Sequence, residues 1–184
     1  MAIGALLIGA ALIGAIVLLI VGGGGDSGSK TSPQVSELQD RFLKHTIVNP
    51  DKGISVRRPA NWTDSRRNGA ISLQSHDGCL AMTLSAPLPT GQSASLRSDS
   101  LHLLRRSYKN ATVGSAPSSQ VGGIPTVSNT VSFTDPRGNP IKILVSVGTG
   151  SKNTYLTEIV VRNPSCQADL SLAQLMLSSL QYTK

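Results

Sequence analysis

The chain has 184 residues, 39% of them hydrophobic, and a formal net charge of +7. That composition is neither that of a disordered polyelectrolyte nor of a disulfide-dense miniprotein, since there are only two cysteines. Aromatic residues make up 3%, too few for a stacking platform for single strands, so the sequence gives no support for nucleic-acid binding.

From Ile3 to Val21 no side chain is charged or strongly polar. At about 1.5 Å per residue such a run spans roughly 28 Å, close to the hydrocarbon core of a bilayer, where backbone groups are satisfied only within a helix. Residues 1–21 are read as an uncleaved transmembrane anchor. A cleaved signal peptide is the alternative, although its basic n-region is missing and the core is long for one. The small-residue pairs Ala5/Gly9 and Ala10/Gly14 permit close helix contact, and ordinary glycine and alanine usage accounts for them equally.

Residues 22–34 are rich in Gly and Ser and form a linker. Within it, Gly25-Asp26-Ser27-Gly28 matches the surroundings of a trypsin-type nucleophile. That chemistry needs a preorganised pocket and a histidine and aspartate earlier in the chain. Only the membrane run precedes Ser27, so the protease reading fails.

Residues 35–184 then form one domain, expected outside the cytoplasm. Val35 to Lys44 reads as a short helix. Ile54 and Val56 alternate in a first strand that ends at Pro59-Ala60-Asn61-Trp62. Ile71/Leu73 and Leu80/Met82/Leu84 alternate in two more, joined by the turn Ser75-His76-Asp77-Gly78, and the alternation places Cys79 opposite Leu80. Leu96 to Lys109 reads as a helix with a stripe of Leu96, Leu101, Leu103, Leu104 and Tyr108. Three alternating strands follow, carrying Val127/Val131/Phe133, Ile141/Ile143/Val145/Val147 and Tyr155/Thr157/Ile159/Val161. Their short connections require antiparallel neighbours. Asp169 to Leu180 reads as a closing helix, with Ser171 and Gln174 as a capping box. The sum is an α+β fold, an antiparallel sheet flanked by helices.

Between Lys52 and Lys109 nine Lys/Arg stand against three Asp. Arg57, Arg58, Arg66, Arg67, Arg105, Arg106 and Lys109 are the candidate basic patch for an anionic surface or partner, with a solvated surface as the plainer account. Cys79 and Cys166 suggest one disulfide; free thiols or a metal site with His76 are the alternatives.

The Pro59-x-x-Trp62 piece, the Gly122-Gly123-Ile124-Pro125 lead-in and the terminal Leu177-Ser178-Ser179-Leu180 helix together resemble the PsbP-like (Mog/PsbP) superfamily, over roughly residues 46–184. The resemblance implies an α/β/α sandwich that serves as a binding or assembly module, with no catalytic residue, metal or cofactor to transfer. The expected function is therefore a membrane-anchored, non-enzymatic envelope domain that binds a protein partner or an anionic surface. Lipid or hydrophobic-ligand binding is the alternative. A hydrolase is the third reading, resting on Cys79 as nucleophile near His76.

Overall fold

The structure, a computed structural model, describes residues 33–50, 53–85, 88–89, 91–122, 124–150, 153–162 and 167–182, without the side chains of 117–120 and 167–170. The expected membrane helix at 3–21, the stretch Gly25–Gly28 and Cys166 lie outside the described residues. Among those residues no helix is long and apolar enough to cross a membrane. Of the linker read at 22–34, Pro33 and Gln34 already belong to the first helix.

That helix, α1 (Pro33–Phe42), starts on a proline, whose missing N–H costs nothing at a first helical turn. Strands β1 (His45–Asn49) and β2 (Ile54–Arg58) pair antiparallel, Ile47 opposite Val56. The short β11 (Gln181–Tyr182) returns from the C-terminus to the other side of β2 and completes a three-stranded sheet.

The larger sheet runs in the order β3 (Thr63–Arg67), β4 (Ala70–Gln74), β5 (Leu80–Leu84), β10 (Asn153–Val161), β9 (Pro140–Thr149), β8 (Ile124–Thr134), β7 (Thr112–Val121), with β6 (Leu88–Pro89) also on β10. Every pairing is antiparallel. The β5–β10 ladder, with Met82 opposite Ile159, joins an early hairpin group to a late meander. Alternation then sorts side chains onto two faces.

One face carries Ile71, Leu73, Leu80, Met82, Leu84, Ile159 and Val161 and packs under α1, the small sheet and α3 (Gln167–Ser178). Ala173, Met176, Leu177 and Leu180 fill this main core, as expected, and Leu175 joins them. Trp62 reaches it through a turn in which its N–H bonds the Pro59 carbonyl. The other face presents Val131, Phe133, Ile143 and Val145 to α2 (Ser93–Ser107).

Three local expectations need correction. Ser171 is not a helix cap: α3 begins at Gln167, so Ser171 sits inside it. Cys79 is not opposite the core; it lies in the turn before β5, where strand alternation does not apply, and packs against the main core. Leu103 is not on the packed side of α2, where it is 64% exposed.

A candidate groove beneath the second helix

Helix α2 runs along β9 and touches β10. Its C-terminal half is well seated. Leu101 and Leu104 pack on the second core, and Tyr108 stacks on Phe133 with ring centres 3.8 Å apart. Stepping back toward the N-terminus at helical spacing of three and four, the same stripe passes from Tyr108, Leu104 and Leu101 to Arg97, then Ala94 and Ser93. The apolar side chains have run out. No residue of α2 is fully buried, and its first turns leave a groove of about 330 Å³ over the sheet.

The groove is lined by Ser93, Ala94, Arg97, Pro125, Val127, Val147 and Thr149. Val127 is 51% exposed, an uncovered apolar floor. Arg97 is the lone charged lining residue, and no hydrogen bond or ion pair holds it among the described residues. The N-terminus of α2 has no side-chain cap at Gln92 and no acid in its first turn. Thr154 pairs with Thr149, so its side chain shares that face; its hydroxyl is fully buried without a hydrogen-bond partner. By contrast, the space between Tyr155, Tyr182, Ser146 and Thr157 under the main core has no room for a water molecule, and the two tyrosines stack at 3.5 Å. Burial raises the Tyr182 hydroxyl's pKa, and Tyr155 adds to the effect.

The seven basic residues expected to form a patch fall into three places. Arg57 and Arg58 work inside the fold. Arg57 Nη1 bonds Asp40 at 2.7 Å and its Nη2 donates to the Leu43 carbonyl, fastening α1 to β2. Arg58 pairs with Asp64 at 2.8 Å and donates to the Pro59 carbonyl, bracing the corner that delivers Trp62. Arg66 and Arg67 lie exposed on the edge strand β3, on opposite faces of the sheet. Arg105 and Arg106 occupy the last turn of α2, where cations complement the helix dipole, and Lys109 follows. Strand β9, along which α2 lies, is four pairing steps from β3, roughly 19 Å at about 4.8 Å each. The basic residues do not converge.

Cys79 is disulfide-bonded, which removes the thiolate a nucleophile would need. Next to it, Asp77 accepts hydrogen bonds from the Ser75 hydroxyl and the Cys79 N–H, which hold its carboxyl below the usual range. Nor do the described residues contain a group of three or more His, Cys, Asp or Glu able to hold a metal. Glu158 stands beside the second core, on the same face as Leu156 and Val160, and burial raises its pKa.

The sequence matches no protein-family model and no curated protein. Solved structures do match. The yeast Saccharomyces cerevisiae protein Mog1p, described as a Ran-binding protein, is 12% identical with a TM-score of 0.54, covering 77% of this chain and 97% of its own. LpqN of Mycobacterium tuberculosis, described as involved in cell envelope biogenesis, is 11% identical with a TM-score of 0.50, covering 85% and 100%. A Bacteroides thetaiotaomicron protein is 11% identical with a TM-score of 0.53 over 78% of this chain, which spans only 50% of that protein. The chain has the fold that Mog1p and LpqN share.

Proposed function

We propose that this chain is a non-enzymatic binding or accessory domain of the cell envelope, tethered by residues 3–21 with its folded domain outside the cytoplasm. The observation that carries the reading is the groove at the first turns of α2, an uncovered apolar floor beside an unpaired cation. Two proteins with the same fold support it by precedent, one described as Ran-binding and one as acting in envelope biogenesis. The disulfide at Cys79 suits an oxidising compartment, and Cys166, the second cysteine of the chain, is its expected partner.

The test is in-cell cross-linking and capture of the intact chain, a chain lacking residues 1–21 and a Val127→Glu variant. One stoichiometric membrane complex, lost on removal of 1–21 and weakened by Val127→Glu, is the expected outcome. Digestion of the captured protein without reduction should release a Cys79–Cys166 linked peptide. Capture that is indifferent to both changes would sink the accessory reading. The groove also favours the alternative of a hydrophobic ligand, whose chemistry can be narrowed.

A further inference from the structure

We propose that the groove beneath the first turns of α2 binds a single medium-chain carboxylate, its hydrocarbon on Pro125, Val127 and Val147 and its carboxylate on Arg97. This deepens the ligand-binding side of the proposed function and rests on the groove being a binding site. Three observations converge on an amphipathic anion. The floor is apolar and open. The single charge in the lining is a guanidinium with no acidic partner, and guanidinium binds carboxylate with two parallel hydrogen bonds. The adjacent N-terminus of α2 is uncapped by any side chain and has no acid in its first turn, so its field favours negative charge there.

The groove is small and open on one side, about 330 Å³, which suits a short alkyl chain, and octanoate is the probe of that class. Backbone chemistry argues against a peptide strand as the occupant. The groove lies over β8 and β9, whose backbone groups are paired on both sides within the sheet, so no edge is open for strand addition.

The experiment titrates the purified full-length chain in mild detergent with sodium octanoate and, separately, with 1-octanol, following amide shifts of Val127, Val147 and Thr149. Octanoate should bind more tightly than octanol. Arg97→Gln should weaken octanoate at least tenfold and leave octanol unchanged, while Arg97→Lys keeps part of the preference. Arg106→Gln, on the last turn of the same helix, should change neither. Equal affinity for acid and alcohol, indifference to Arg97→Gln, or no binding at all would overturn the inference. So would preferential binding of a hexapeptide with a free carboxyl terminus. Partner capture that persists while octanoate fails to bind would separate the failure of this inference from failure of the accessory reading.

Discussion

Arg97 occupies the position where the stripe Tyr108–Leu104–Leu101 would continue onto the sheet, and that one residue changes what the helix can do. A leucine there would continue the apolar stripe and remove the groove's charge. Two other residues carry predictions of their own. Gly122 ends the β7 side of a tight hairpin, with Val121 opposite Ile124, and has a positive φ of 58°. Its N–H donates to the Leu177 carbonyl, and an added Cβ would lie 2.6 Å from the Leu180 carbonyl oxygen. Gly138 has a φ of 85°, yet nothing lies within 4 Å of its would-be Cβ. Gly122→Ala should therefore cost about 1–3 kcal/mol or more, and Gly138→Ala only the backbone share, near 1 kcal/mol. Denaturant melts of both variants check this, and equal losses would mean that the close approach to α3 does not matter. Glu158 gives a pH dependence. Its folded pKa is raised by burial, so the folded state holds its proton more tightly than the unfolded one. Stability from this group is intact below the unfolded value of about 4.3 and falls as pH rises toward the folded value. Glu158→Gln should raise the melting temperature at pH 7 and leave it nearly unchanged at pH 4. A loss at pH 7 would show that the carboxylate has an anion-dependent partner.

At the scale of elements, the sequence was readable wherever one side of an element meets a core. Strands β2, β4 and β5 alternate because one face is buried, and that alternation is visible in the letters, while β8, β9 and β10 alternate in their letters between two cores. Strand β3 was invisible because all five of its residues, Thr-Asp-Ser-Arg-Arg, are exposed on a sheet edge. Only pairing with β4 makes it a strand, and pairing leaves no periodic signal. Its charges also discourage association at that edge. Strand β7, the other edge, hid behind Gly114, Pro117 and a register shift between Ala116 and Ser119. The start of α3 was missed because Ser171 looked like a cap, whereas the helix already runs from Gln167. The arginine pairs misled for a related reason. Charge density along the chain does not say which guanidiniums are spent on Asp40, Asp64 and the Leu43 and Pro59 carbonyls. The groove had a signal that went unread, the switch from leucine to Arg97, Ala94 and Ser93 on one helical stripe. It becomes meaningful only once Tyr108 and Leu101 fix which side faces the sheet.

For the whole molecule, one sheet separates two cores of unequal depth. Among the described residues the main core holds nineteen buried hydrophobic residues, drawn from both sheets, α1, α3 and the loops, whereas the second holds four, all from β8 and β9. Helix α2 contributes only partly buried side chains to the second core, so little apolar area holds it down. A helix with so little buried surface should open without the rest of the fold, by a sub-global route of lower free energy than complete unfolding. Such opening would begin at Ser93–Arg97, where no side chain packs on the second core, and would widen the groove to admit a ligand. The main core should not feel it, because α3 and the main-core side chains of β5 and β10, Ile159 and Val161 among them, lie on the other face. Native-state hydrogen exchange measures the difference. Peptides covering 93–107 should exchange at least tenfold faster than those covering 155–161, a gap of about 1.4 kcal/mol or more in opening free energy. Saturating octanoate should slow exchange in 93–107 and leave 155–161 unchanged. Equal protection of the two segments without ligand would mean that α2 opens only with the whole domain, and ligand entry would then need no movement of the helix.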